Sequence, residues 1–201
     1  MSAPTQLLPP AADIAKLPKR SQLAYAIRCA LRVEPLYADK NPDVIRARFV
    51  HACIETAEAY FDTGRFEDKA GLIHYDHRFA DYGVSAAFFA REAAYSAYCE
   101  DNDPDYDAED AEYDETTPAH RVEHVAAFSL LAVYDVSGPL EESRRCERLA
   151  LAVTLSDFNL VMDKKSSVQL TEIGPLWNLD FMETYRDKLK KHIALVTATL
   201  P

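Results

Sequence analysis

The chain has 201 residues, of which 48% are hydrophobic, and this length suits one domain with a single core better than two. The formal net charge of −11 argues against nucleic acid or an anionic membrane as a partner, because the protein would be repelled by either. No apolar run approaches the roughly 18 residues of a membrane span, and the N-terminal residues do not have the pattern of a secretory signal. We therefore expect a cytoplasmic protein that does not bind membranes.

The composition favours helices along the whole chain, with only 5 Gly and with Ala, Leu, Glu and Arg spread widely. Residues 1–18 contain four prolines and predict a flexible leader that forms no helix and docks through Leu7 and Leu8. Residues 19–201 predict a single all-α domain, a bundle or array of about six helices into which an acidic loop, 100–116, is inserted. The main helices are predicted at 21–37, 41–61, 83–99, 117–137, 140–162 and 180–200, and 65–81 predicts a short helix and a loop.

The first helix shows a clear helical spacing of apolar residues. Leu23, Ile27 and Ala30 predict its buried face, and Arg28 and Arg32 are expected on the opposite face. The helix at 83–99 is rich in alanine, which would let a neighbouring helix approach closely.

Four cysteines are spread along the chain beside apolar residues, without any Cys-x-x-Cys spacing. Such cysteines are typical of reduced thiols in a hydrophobic core. No Gly-x-Ser-x-Gly sequence and no phosphate-binding glycine loop is present, which disfavours catalysis by a standard motif. We expect all four to be core thiols: Cys29, Cys53, Cys99 and Cys146.

Four stretches of the chain carry a family resemblance. They are RSQLAYAIRCALRVEPLY at 20–37, HACIETAEAYFDTG at 51–64, AREAAYSAY at 90–98 and GPLW at 174–177. Together they resemble a large set of uncharacterised bacterial all-helical proteins. The resemblance implies an all-α fold over most of the chain and assigns no activity.

The most unusual feature is the run EDNDPDYDAEDAEYDE at 100–115, which holds ten acidic residues and no base. The rest of the chain has 23 acidic residues against 22 Lys and Arg, so the net charge is concentrated in this run. Its alternating acids occupy the ligand positions of an EF-hand calcium loop, but Tyr106 stands where the turn requires Gly. The run therefore predicts a solvated loop, a calcium site or a docking surface for a basic partner. The residues proposed for partner binding are Asp101, Asp103, Asp105, Asp107, Glu109, Asp110 and Glu112.

Histidines suggest a second kind of site. His120 and His124 lie four residues apart in the sequence HRVEH, so both imidazoles project from one side of a helix. Together with His51 they are similar to the three-histidine arrangement of DinB-like helical bundles, and that resemblance implies a divalent metal bound in the core. Glu55 or Glu58 would supply a further oxygen ligand or a base. The alternative is that these histidines cap a helix, pair with acids or pack at a helix start.

The sequence as a whole favours a non-enzymatic protein-interaction module such as an adaptor, a regulatory subunit or an immunity-type inhibitor. Its acidic surface would bind a protein partner with a basic surface, and we expect no cofactor and no nucleic acid. The alternative function is a metal-binding bundle protein or hydrolase that uses His51 with His120 and His124.

Overall fold

A computed structural model of the chain describes residues 7–34, 44–73, 81–102, 117–136 and 140–164, together with residue 170. Within this part of the chain there are six α-helices, one 3-10 helix and no strand, so the predicted all-α bundle is confirmed. The helices are α1 (Ala11–Ile14), α2 (Lys19–Leu31), α3 (Val44–Thr63), α4 (Tyr82–Asn102), α5 (Pro118–Val136) and α6 (Leu140–Lys164), with the 3-10 helix (Ala70–Leu72) between α3 and α4. The helix predicted at 180–200 lies outside the described residues.

Helix α2 is the centre of the bundle. It packs against α3, α4, α5 and α6, and these four helices also pack against one another in chain order. Every residue from Leu23 to Ala30 is buried, so α2 has no solvent-facing side over these residues. Arg28 and Arg32, expected opposite the buried face, are therefore interior residues, only 4% and 1% exposed. The expectation was wrong because α6 covers the side of α2 that carries them.

Helix α4 is the main neighbour of both α3 and α5 and also contacts α2. Its buried positions are mostly small, whereas Phe88 and Tyr98 are half-buried and Tyr95 is exposed. Small side chains let helix axes approach closely, which explains how one helix can contact three others. The buried alanines are Ala86, Ala87, Ala90, Ala93 and Ala94.

The N-terminal segment differs from the expected leader without a helix. Helix α1 begins directly after Pro10 and packs against α5. A proline before the first turn does not break a helix, because the first N–H groups have no intrahelical partner. The segment is anchored by Ile14 and Leu17, which are buried, whereas Leu7 is 76% exposed. Leu8 is half-buried against the core.

Three of the four cysteines have described side chains. Cys29, Cys53 and Cys99 are buried and free, as expected of core thiols. Among the described residues, no helix is long and apolar enough to cross a membrane.

Candidate functional site

The acidic run begins on a helix. Glu100 and Asp101 belong to the last turn of α4, which continues to Asn102, three residues beyond its predicted end. The Asn102 side-chain amide donates a hydrogen bond to the carbonyl oxygen of Tyr98 at 2.8 Å. The remaining acids proposed for partner binding lie outside the described residues: Asp103, Asp105, Asp107, Glu109, Asp110 and Glu112.

A cleft of about 400 Å³ opens beside this end of α4. Helices α2, α3 and α4 line it, so it lies where three of the closely packed helices end or begin. Its charged residues are of both signs, and two aromatic side chains contribute to its wall. The lining residues are Lys19, Arg20, Leu23, Tyr60, Phe61, Asp62, Gly64, Ala97 and Asp101.

Lys19 holds the two acids at the end of α4. Its Nζ lies 2.6 Å from Glu100 Oε2 and 3.4 Å from Asp101 Oδ1. The hydrogen bond with Glu100 raises the pKa of Lys19, so the ammonium is the stable form. Two carboxylates near the negative end of a helix dipole repel it, and the Lys19 charge offsets that repulsion. This contact explains why α4 extends into the acidic run.

Tyr60 contacts the same carboxylate from α3. Its hydroxyl donates a hydrogen bond to Asp101 Oδ2 at 3.0 Å. Two causes raise the pKa of Tyr60: burial is the larger, and the hydrogen bond to Asp101 is the next. The phenol therefore stays protonated and remains a donor. Asp101 is thus bound by Lys19 and by Tyr60, yet its side chain is still 57% exposed and accessible to a partner.

An aromatic cluster adjoins the cleft. Phe66 stacks on Tyr98 with ring centroids 5.7 Å apart and lies 5.2 Å from Tyr95, and Tyr60 contacts both Phe66 and Tyr98 edge-on. Tyr95 is 41% exposed, so the cluster reaches the surface. Phe66 was not predicted as a site residue, because it lies in the stretch 65–81, for which the sequence predicted only a short helix and a loop.

The C-terminal end of α3 forms another wall of the cleft. Gly64, at φ 69°, ends the helix, and its N–H donates to the Tyr60 carbonyl at 2.8 Å. Glycine is suited to this left-handed position because it lacks a Cβ. Arg20 donates to the Phe61 carbonyl at 2.6 Å, and its guanidinium lies 3.8 Å from the centre of the Phe61 ring. A cation near the last carbonyls of a helix stabilises that end.

Acidic residues continue from the cleft along α3. Burial raises the pKa of Glu58, and the nearby carboxylates of Glu34 and Asp62 raise it further. Asp62 is itself part of the cleft lining. Like charges this close repel one another, so a cation bound near them would be stabilised.

The three histidines proposed as metal ligands do not meet. His51, on α3, is 64% exposed, and its Nδ1 lies 2.7 Å from Glu34 Oε1. At the start of α5, His120 Nδ1 lies 2.9 Å from the Thr117 hydroxyl, and His124 packs against both rings of the stacked pair Phe89 and Phe128. No group of three or more His, Cys, Asp or Glu that could hold a metal ion is present among the described residues. Metal binding by these histidines therefore stays a prediction that the geometry does not support, and metal analysis of purified protein would check it.

A second group of charged residues lies inside the bundle, between α2 and α6. Asp157 Oδ2 and Oδ1 accept hydrogen bonds from Arg28 at 3.1 and 3.2 Å, and Arg32 also donates to Asp157. Arg32 further donates to Thr154 Oγ1 at 3.2 Å and to Cys29 Sγ at 3.4 Å. We call Arg28, Arg32 and Asp157 the buried ion cluster. Its contacts fasten α6 to the central helix.

The thiol beside the buried ion cluster is unsuited to catalysis. Burial raises the pKa of Cys29 to about 11, so the thiol stays protonated at neutral pH despite the neighbouring Arg32. Burial also raises the pKa of Cys53 well above its usual value. Because the thiolate is the nucleophile, neither residue is a candidate catalytic cysteine.

Comparison of the chain with protein-family models, curated proteins and solved structures found no match. The family resemblances noted in the sequence therefore stay predictions.

Proposed function

We propose that this protein is a non-enzymatic helical interaction module that binds a basic segment of a protein partner at the α2–α3–α4 cleft. An adaptor, a regulatory subunit or an immunity-type inhibitor would all act in this way. The observation that carries the proposal is the cleft itself, which joins the exposed carboxylates of Asp62 and Asp101 to aromatic rings where the acidic run begins.

Charge supports a basic partner. The chain passes from Asn102 directly into eight further acids between 103 and 115, with no base among them. Such a concentration of negative charge accelerates encounter with a basic protein and makes its capture sensitive to salt. It also disfavours acidic partners, including nucleic acid.

The aromatic rings provide short-range contacts. Lysine and arginine bind well over aromatic faces, and tyrosine is enriched in protein interfaces. Within the protein, Arg20 already uses this mode, since its guanidinium lies over Phe61 in the wall of the cleft. A basic side chain of the partner would find an exposed carboxylate at Asp101 and an exposed ring at Tyr95 in the adjoining aromatic cluster.

We also propose a cytoplasmic location, which the state of the cysteines supports, and the same thiols argue against a catalytic cysteine. The described thiols are free and buried, and the pKa values of Cys29 and Cys53 are raised by burial. Free thiols of this kind are typical of proteins that work in a reducing compartment.

Binding of a short fluorescent peptide rich in lysine and leucine tests the proposal. The full-length protein is compared with a variant in which the acids from Asp103 to Glu112 are changed to Asn or Gln. We expect this variant to bind at least about tenfold more weakly at low salt, because long-range attraction is lost. The difference should shrink as salt is raised.

A matched pair of single variants locates the site. Asp101→Asn should weaken peptide binding about two- to fivefold, the size expected of one exposed charge contact. Asp163→Asn is the control, because Asp163 is also an exposed aspartate in the last turn of a helix but belongs to α6. Equal binding by wild type and by the variant without the acids from Asp103 to Glu112 would contradict the proposed function.

A further inference from the structure

A second, smaller cavity lies next to the cleft. Its volume is about 20 Å³, roughly the space of one water molecule. It shares Lys19, Leu23 and Ala97 with the cleft, so the two cavities are neighbours along α2 and α4. Its own lining adds Gln22, Ala93, Glu100, Pro118 and Val122.

The ion pairs of Lys19 lie at the boundary between the two cavities. Glu100 lines the small cavity, Asp101 lines the cleft, and the Lys19 ammonium contacts both carboxylates. The side chain of Lys19 itself lines both spaces. It therefore spans the gap between α2 and α4 at the point where the cavities meet.

The ion pairs between Lys19 and the two carboxylates are suited to replacement by another cation. The Lys19 side chain is 55% exposed, against 24% for Glu100 and 57% for Asp101, and water and salt weaken an ion pair that is open to solvent on one side. Breaking such a pair changes an equilibrium constant by only about two- to fivefold. A basic side chain that offered the same charge together with further contacts would replace Lys19.

We propose that Lys19 is an internal latch, which occupies Glu100 and Asp101 in the free protein and is replaced by a lysine or arginine of the partner segment. Displacement of Lys19 would open the boundary between the two cavities, which Leu23 and Ala97 also line, and so join them into one groove. This inference rests on the proposed function and adds the mode by which the partner is held.

The lining of the joined groove indicates the partner's chemistry. Leu23, Ala97 and Val122 supply apolar lining to these cavities, and Glu100 and Asp101 supply carboxylates. A segment with an apolar residue next to a basic one would match both surfaces. We therefore commit to a basic, partly apolar protein segment as the occupant.

Peptide binding by Lys19→Met tests the latch, with Lys16→Met as the matched control. Both changes remove one positive charge and keep an unbranched apolar side chain. Lys16 is likewise exposed and ion-paired, with Asp13 at 2.5 Å, but it does not line either cavity. The net charge therefore changes equally in the two variants, and only Lys19→Met removes the ammonium that contacts Glu100 and Asp101.

With the labelled peptide rich in lysine and leucine, we expect Lys19→Met to bind about two- to fivefold more tightly than Lys16→Met. Equal or weaker binding by Lys19→Met would overturn the latch. If wild type still bound the peptide and Asp101→Asn weakened that binding, the proposed function would survive this result. Absence of binding by wild type and both lysine variants would overturn the proposed function and the latch with it.

Discussion

The buried ion cluster and the Lys19 ion pairs use the same chemistry in opposite surroundings. Arg28, Arg32 and Asp157 meet between two helices with side chains at most 5% exposed, whereas Lys19 and Asp101 are more than half exposed. Charges taken out of water interact strongly and are costly to leave without partners, while exposed charges exchange readily with water and salt. The comparison shows why the first group fixes the fold and the second is available for binding.

The largest effect on stability is expected when Asp157, the acidic residue of the buried ion cluster, is replaced. Asp157→Asn removes the carboxylate that both arginines contact, so two guanidiniums in the interior lose that charge interaction. We expect the free energy of unfolding to fall by about 3 kcal/mol. Urea unfolding of the variant and wild type measures the difference.

Asp163→Asn is the control for this change, because it alters the same residue type on the same helix at an exposed position. It should change the free energy of unfolding by less than about 0.5 kcal/mol. A loss below about 1 kcal/mol for Asp157→Asn would show that the cluster contributes little to stability.

An intermediate loss of stability is expected when Asp68, whose side chain is 30% exposed, is replaced. Arg91 donates to it from α4 at 2.8 Å, and the hydrogen bonds from Arg91 are the largest cause of the lowered pKa of Asp68. Asp68 also accepts the Gly71 N–H at 3.0 Å, which holds the 3-10 helix. Asp68→Asn should lower the free energy of unfolding at neutral pH by about 1 kcal/mol, after allowance for solvent screening.

The lowered pKa of Asp68 also predicts how the stability difference between wild type and Asp68→Asn depends on pH. A carboxylate with a lowered pKa stabilises the folded state above its unfolded pKa, and this contribution is lost as pH falls through the folded pKa. The gap in unfolding free energy between wild type and Asp68→Asn should therefore be largest near neutral pH and shrink in acid. A gap that stays constant down to strongly acidic pH would contradict the role of the ionised carboxylate.

The smallest effect on stability is expected for Lys19→Met, the variant with the clearest effect on binding. Water and salt screen the more than half exposed Lys19 ammonium, so the free energy of unfolding should change by less than about 0.5 kcal/mol. Urea unfolding at low and high salt checks this value. A loss comparable with that of Asp157→Asn would remove the distinction between the two regions.

Several features of the fold could be predicted from the sequence because they depend on local pattern. The apolar spacing of Leu23, Ile27 and Ala30 predicted the buried face of α2, and these residues are buried. The thiols of Cys29 and Cys53 were expected in the core and lie there. Helical periodicity reports which side of a helix is apolar, which is sufficient for such cases.

The candidate site could be predicted only in part. Asp101 was proposed from the acidic run, but Lys19 and Tyr60, which contact it, lie 82 and 41 residues away in the chain. Among the described residues, the structure does not bring His51 together with His120 and His124, because spacing along one helix does not determine where a residue of another helix lies. Contacts between distant segments depend on how the helices pack.

The sequence by itself determined the helical class, the core thiols and the concentration of negative charge at 100–115, because composition and periodicity express local preferences and total charge. Tertiary structure alone decided that α2 is central, that Arg28 and Arg32 are interior, and that Lys19 faces the first acids of the run. An arginine has the same local helix preference on a surface and in an interior. Only the helix that covers it decides whether its charge is screened by water or paired with a buried carboxylate.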